Sequence, residues 1–466
     1  MLTQVRRFTC SLCVRLLAAG FSIGVAGVTE CGAETYLIDV KDTEHNLPSS
    51  IVTAITQTPD GYLWVGTYDG LSRFDGERFV NFHPINTPEL SHARVQGLFV
   101  DATGTLWIAT YRGGLTSYRE GVFRQEWPDD ETWFDLHTRL VFSSESVALF
   151  ATQFGEVLER RAEGRDVLWK AHAPPAGLRP RYQCTDHEGR LWFLTRDARV
   201  LLFEQGAFKE LPPDSGLSGR PVSTVRTDAN GRVWVGAENE IARWNGTRFE
   251  DMTPTNGEPR MDPVVLFPTR SGAVWVWSGE RLRKLEGRRW TAEAVEWRGL
   301  LGWASGRAMG AHEDFNGGIW FNHYGNGLFH ITPDGQYQRL TSADGLPGDR
   351  VGAWFQSRDG GIWLGIDRGG LVRLRERRFD VLGLEEGLPV RTTLSICEDE
   401  TGAMWIGTGG GGLCRWKDGR VTRFSVGASV SANFVFSLYP RPEGGLWFSA
   451  GEGEDLGLFA EQAVQP

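Results

Sequence analysis

Cysteine is scarce: six in 466 residues, with only Cys184, Cys397 and Cys414 beyond the first 33. Three scattered cysteines make neither a disulfide framework nor a paired-cysteine metal site. Cys184 and Cys397 each stand five residues before a recurring glycine, so both are expected at equivalent strand positions, small and buried. Long apolar runs are equally rare. After Leu16–Val28 nothing stays apolar for the length that a membrane helix needs. Positive charge is in deficit, with a formal net charge of −10. That sign disfavours nucleic acid, which needs clustered Lys and Arg to displace counterions. A helical period is missing over any useful length. No Ser/His/Asp set, metal-ligand cluster or phosphate-binding glycine loop stands out, so no catalytic residue, metal or cofactor is assigned.

Glycine and tryptophan are what the chain has in excess, 59 and 19 residues, beside 41% hydrophobic content. Apolar content of that order argues for a packed chain rather than a disordered one. Residues 1–33 have the order of a secretory signal. Arg6, Arg7 and Arg15 are basic, Leu16–Val28 is apolar, and Cys31-Gly32-Ala33 puts small residues before a cleavage site. Glu30 argues against a lipidated Cys31. Cleavage after Ala33 removes Arg6, Arg7, Arg15 and Glu30 and leaves a net charge of −12. The mature chain is expected in the periplasm or secreted, without a membrane span.

One frame, Gly-x-(Leu/Ile/Val/Met)-Trp, recurs at Trp64, Trp107, Trp192, Trp234, Trp275, Trp320, Trp363, Trp405 and Trp447. A doubled gap before Trp192 is filled by a degenerate copy with Phe150 midway, which makes ten units of 41 to 45 residues. Residues 52–82 show what one unit encodes. An alternating strand runs to a turn at Asp60-Gly61, and "YLWVGT" returns. "LSRF" and "RFVNF" follow around Asp75-Gly76. Four short strands in about 42 residues are one β-propeller blade. The fold expected is therefore all-β, a propeller of ten four-stranded units.

Turn glycines such as Gly61 and Gly104 permit the positive φ of a tight reversal. Asp60, Asp101, Asp186, Asp228 and Asp399 are placed to bond the turn backbone. Calcium would need several such oxygens converging on one ion, and the repeat supplies one carboxylate per turn. The repeated tryptophan is expected between adjacent blades. "YLIDVKDTEHNLPSSIV" (36–52) resembles the outer strand and exit of later units, so it can join a later blade and clasp a ring shut. Propellers of four to eight blades are the rule. The expected division is therefore 34–340 for blades 1–7 and 341–466 for blades 8–10, the last incomplete; one large ring is the alternative.

"DGLSRFDGERF" (69–79), "RGGLVRLRERRF" (368–379) and "GGGGLCRWKDGRV" (409–421) resemble the two-component regulator propeller repeat. So do the "LWVGT" and "MWIGT" strands and the joining "NLPSS", "GLPGD" and "GLPVR" segments. The resemblance implies the periplasmic ligand-binding sensor region of a bacterial hybrid two-component system. In that family paired seven-bladed propellers precede a small β-sandwich, a membrane helix and a cytoplasmic output module, and members often sense polysaccharide breakdown products. This chain carries none of the parts after the propellers. It is expected to be a truncated sensor or a free-standing propeller that hands its signal to a membrane sensor kinase or other signalling partner.

Recognition is expected in the loops after each second strand. These are Tyr68-Asp69, Tyr111-Arg112, Arg196-Asp197, Glu238-Asn239, His323-Tyr324 and Asp367-Arg368. Aromatic faces stack on sugar rings while polar groups bond hydroxyls, which suits an oligosaccharide or another small polar ligand. Two other readings remain open. A glycan-acting or lyase propeller would draw its acid or base from His323 or His187, although "TPDGYLW" only faintly echoes a sialidase turn box. A protein-interaction scaffold would show a broad apolar patch instead of a polar pocket.

Overall fold

A computed structural model describes residues 36–459 except 112–113, 127–137, 145, 164–165, 212–214, 257–260, 262–263, 279–280, 292–294, 297–309, 324, 377–380, 442–444 and 452–454. The signal-like segment therefore lies outside the described residues. No helix among those described is long and apolar enough to cross a membrane. The described residues are all-β apart from three-residue 3-10 turns, and their strands form ten antiparallel sheets. They fall into two units, the first ending at Glu376 and the second beginning at Arg377.

In the first unit β1 (Tyr36–Lys41) precedes β2 (Val52–Gln57), β3 (Leu63–Thr67), β4 (Gly70–Phe74) and β5 (Phe79–Phe82). The last four make the first sheet in simple up-and-down order. Thr58 and Gly61 close the first reversal through a Gly61 N–H to Thr58 carbonyl bond of 2.9 Å, with Gly61 at φ 95°. Six further sheets repeat the pattern between Val95 and Leu340. The eighth takes only three strands from residues 351–376, and β1 supplies its outer strand, Tyr36 opposite Glu376 through Lys41 opposite Leu371. The expected clasp thus exists, and it moves the boundary between units. The division lies after Glu376 rather than at 340/341, because β1 ties residues 351–376 to the first unit.

Consecutive sheets meet face to face through the frame residues. Trp64 packs with Val95, Leu98 and Ile108 of the second sheet, Trp192 with Val225 and Val235 of the fifth, and Trp320 with Val351 and Leu364 of the eighth. Trp363 of the eighth packs with Val52, Val65 and Phe74, which closes eight sheets into a ring. Polar bonds follow the same seam: the Arg358 N–H donates to Gln57 Oε1 at 3.0 Å and its guanidinium to the Pro59 carbonyl at 2.9 Å. Each tryptophan removes roughly 150–250 Å² from water.

The turn aspartates serve these tryptophans. Indole Nε1 donates to Asp101 from Trp107 at 2.8 Å, to Asp186 from Trp192 at 2.8 Å, and to Asp314 from Trp320 at 2.7 Å. The other oxygen of each carboxylate accepts turn N–H groups, as Asp186 Oδ1 does from Glu188 and Arg190, both at 3.0 Å. A buried indole N–H is costly without an acceptor. The first and eighth sheets use a hydroxyl instead, Thr58 for Trp64 (2.9 Å) and Ser357 for Trp363 (3.0 Å). These oxygens are thus engaged within their own turns. Among the described residues no group of three His, Cys, Asp or Glu side chains is arranged to hold a metal ion.

The degenerate third sheet departs by one residue from the expected register. Phe150 faces back, its ring 5.2 Å from Trp107, while Leu149 packs forward with Leu191 and Phe193. Leu149 therefore stands where the tryptophan stands elsewhere. Alternation along a strand sends neighbours to opposite faces, so a slip of one exchanges the two.

The second unit holds a four-stranded sheet between Thr393 and Phe424 and a three-stranded sheet between Val435 and Phe459. Trp405 packs with Val435 and Leu446 in the same manner, and its indole donates to Asp399 at 2.7 Å. Hydrogen bonds to Thr401, Ala403 and Trp405 hold the Asp399 carboxyl down at about 2 against the cost of its burial. Cys184 lies opposite Trp192 and Cys397 opposite Trp405, the equivalent positions expected. All three described cysteines are free, and burial pushes the Cys184 thiol up to about 12.

Candidate functional site

One end of the first unit is built by a repeated backbone bond. The residue after each second strand donates to the residue entering the first strand of its own sheet. Tyr68 bonds Ile51 (3.2 Å), Tyr111 bonds Arg94 (2.8 Å), Glu238 bonds Pro221 (3.4 Å) and Asp367 bonds Arg350 (2.9 Å). These four positions therefore share an end with the mouths of the first strands, which are innermost in their sheets. The hairpin turns that join first to second strands lie at the opposite end, and His187 is there, its ring 3.3 Å from the Gly231 carbonyl.

The twelve expected residues do not form one constellation. Tyr68 and Tyr111 are drawn together by Arg94, whose guanidinium lies 4.0 Å from one ring centroid and 5.0 Å from the other and donates to the Tyr68 hydroxyl at 2.9 Å. Asp69 stands 3.8 Å from His83. Asp197 is engaged by Arg199 at 2.7 Å, and bonds from Thr195 and Arg199 lower its carboxyl below the usual range. Asn239, at φ 56°, is consumed by the fold: its N–H donates to the Met261 carbonyl at 2.7 Å, and its side-chain oxygen accepts from the Met261 N–H. Asp367 pairs with Arg350 at 3.5 Å, and Arg368 turns the chain at φ 60°. Arg196 and Glu238 are exposed. His323 ends the second strand of the seventh sheet opposite Gly327; its side chain, Arg112 and Tyr324 lie outside the described residues.

At this same end a cavity of about 410 Å³ opens between the third and fourth sheets, lined by Arg139, Ala151, Thr152, Gln153, Arg181 and Tyr182. Gln153 is the third sheet's counterpart of Tyr68 and Tyr111, hidden in the sequence because Leu149 replaces the tryptophan that marks the register. Arg139 and Arg181 come from first strands, which loop reasoning passed over. The Arg139 guanidinium sits 6.0 Å from the Tyr182 ring, whose hydroxyl bonds Thr185 at 2.8 Å. Burial raises the Tyr182 phenol. Across the ring, burial and then the positive charge of Arg139 push His312 down to about 4, and His312 stacks on Trp354 with ring centroids 4.4 Å apart. Burial also lowers Arg226, with Arg139 adding a like charge.

A second cavity of about 340 Å³ opens at the opposite end between the fourth and fifth sheets. Its Arg190 is paired with Asp186 at 2.7 Å and Glu188 at 2.8 Å.

The family described as two component regulator propeller matches residues 46–69 and 387–410, one segment in each unit. Both segments include a joining loop and the first two strands of a sheet. No curated protein matches the chain by sequence. Among solved structures, an extracellular domain assigned to a hybrid two component system of B. thetaiotaomicron is 19% identical, with a TM-score of 0.51 over 92% of this chain and 54% of that one. The chain therefore spans about half the length of that domain. Another such domain from the same bacterium is 15% identical, with a TM-score of 0.35 over 93% and 67% of the two chains. A streptogramin B lyase is 17% identical, with a TM-score of 0.41 over 74% and 98%. At these identities the first shows the propeller fold, and the other two superpose too loosely to bear on function.

Proposed function

With two-component regulator propeller repeats as the premise, we propose that this chain is the exported ligand-binding part of a sensor. It binds a small polar ligand, an oligosaccharide in the first instance, and leaves it chemically unchanged. The observation that carries this reading is the cavity between the third and fourth sheets. It combines an aromatic face, Tyr182, with two cationic donors, Arg139 and Arg181, at the end where the second-strand loops gather. Sugar faces stack on an aromatic ring, and a carboxylate on the sugar takes bidentate bonds from arginine. The hydroxyls among the described lining residues are held by neighbours in their own sheets, Thr152 by Glu156 at 3.1 Å and Tyr182 by Thr185 at 2.8 Å, which supports recognition as the cavity's chemistry. Its signal would pass to a membrane sensor kinase or another partner.

Calorimetry with neutral and uronate-bearing oligosaccharides tests this. Binding of an acidic oligosaccharide is expected, weakened about tenfold or more by Arg181→Ala, with no new product on chromatography of the mixture. Unchanged affinity in Arg181→Ala removes the site. A time-dependent product replaces the sensor with an enzyme.

A further inference from the structure

The joint between the fourth and fifth sheets is built unlike its neighbours. In other joints the residue after the indole acceptor sends its N–H to a side chain of the next sheet: Ala102 to Ser143 (3.1 Å), Phe315 to Gln356 (2.9 Å), Arg358 to Gln57 (3.0 Å). His187 donates instead to backbone, the Gly231 carbonyl at 3.2 Å. Glycine permits that approach, since a Cβ at 231 would lie 2.7 Å from the His187 Cβ. The frame changes at the same place. Among the nine tryptophan frames, arginine follows the glycine only at Arg190 and Arg232, where other sheets carry residues such as Thr105, Ala273 and Gly361. Beside these two turns lies the cavity of about 340 Å³, at the end remote from the second-strand loops.

Two donors of residues lining this cavity have nothing to bond. Arg190 is 8% exposed, with Nε held by Asp186 at 2.7 Å and Nη1 2.8 Å from Glu188. Its Nη2 has no acceptor among the described residues. Trp244 meets Trp192 and Phe249 edge to face, ring centroids 5.5 and 5.0 Å away, and its Nε1 also lacks an acceptor. A buried N–H without a partner costs about 1–3 kcal/mol. Asp186, Glu188 and the two rings already occupy the other sides of these groups, so the cavity is the route by which an acceptor reaches them.

Charge selects that acceptor. Arg190, Arg232 and Arg243 are matched by Asp186, Glu188, Asp228 and Glu250, with Arg232 on Asp228 at 2.8 Å and Arg243 on Glu250 at 3.3 Å. A further carboxylate would meet a surplus of negative charge. A hydroxyl instead accepts from the two donors and gives its own proton to the half-exposed Glu188. We propose that this cavity is a second binding site, for a single neutral sugar ring. Its volume lies near the lower limit of small-molecule pockets, about 300–1,000 Å³, which suits one ring rather than a chain. The site is separate from the cavity between the third and fourth sheets, and its failure would leave that reading standing.

Nuclear magnetic resonance of the full chain, isotopically labelled at tryptophan, tests it. The Trp244 indole resonance is the one missing from Trp244→Phe, which keeps the packing against Trp192 and Phe249. Trp244 does not line the other cavity, so its resonance reports on this one. Titration with glucose, galactose and mannose to about 50 mM covers the millimolar affinity that a few hydrogen bonds supply. At least one should shift the resonance along a saturating curve, and the matching uronate should bind about threefold or more weakly. Glu188→Gln, an exposed change, removes one negative charge and should narrow or reverse the preference for the neutral sugar. A resonance that no sugar moves, or that moves only in proportion to sugar added, overturns the proposal. So does a uronate that binds the wild-type chain as tightly as its neutral sugar, or a preference that Glu188→Gln leaves unchanged.

Discussion

Replacing Trp234 by alanine tests the claim that the repeated tryptophan holds sheets together. Trp234 is almost wholly buried, packed with Val264, Leu266 and Val276 of the sixth sheet. Removing a side chain of 150–250 Å² at about 25 cal/mol per Å² forfeits roughly 4–6 kcal/mol. Measured aromatic truncations cluster near 3–5 kcal/mol because neighbours relax into the space. The variant also removes the indole donor to Asp228, a bond of 3.1 Å. Asp228 keeps Arg232 at 2.8 Å and the Asn230 and Arg232 N–H groups, so this loss adds only about 1 kcal/mol. Trp234→Phe separates the two parts, since it keeps most of the packing and should cost about 1–2 kcal/mol. Tyr111→Ala is the control: its half-buried ring lies under the Arg94 guanidinium and meets His92 edge to face, and its loss should cost about 0.5–1 kcal/mol. Urea titrations read at a common slope give the differences. If Trp234→Ala and Tyr111→Ala fall within 1 kcal/mol of each other, tryptophan is not what joins the sheets.

His312 is held near 4 in the fold against an ordinary value of 6.5. An unfolded chain therefore binds this proton first on acidification, and the stabilisation present above about 6.5 is lost as pH falls toward 4. Two and a half units correspond to about 3 kcal/mol at most. His312→Gln should flatten stability across that window, and an unchanged slope in melts from pH 7 to 4 would refute the assignment. Thiol alkylation at pH 8 should modify the partly exposed Cys397 well before the buried Cys184, whose thiol is pushed up to about 12. Peptide mass spectrometry gives the order, and labelling of native Cys184 at the unfolded rate would contradict its burial.

The local pattern was legible in the sequence because each strand and turn is decided within a few residues. The hairpin around Asp60-Gly61, the frame tryptophans and the outer-strand character of residues 36–41 can all be read there. The Phe150 register could not, because a degenerate copy without tryptophan leaves two adjacent apolar residues and only packing against both neighbours separates them. The candidate site suffered similarly. Asn239 and Asp197 look like free loop groups until Met261 and Arg199 are seen to hold them. Arg94, Arg139 and Arg181 sit at first-strand mouths, where sequence gives no sign that they converge with a loop from another strand.

Ring closure shows most clearly where the division lies. Sequence alone determined ten repeating units and an N-terminal strand in search of a sheet. The sequence left open which later unit that strand would join, since their frames are nearly identical. Which one it joined depended on how far the chain had turned when the faces of Val52 and Trp363 met. That angle is the sum of every sheet-to-sheet packing before it, a property of the assembled tertiary structure and of no segment within it.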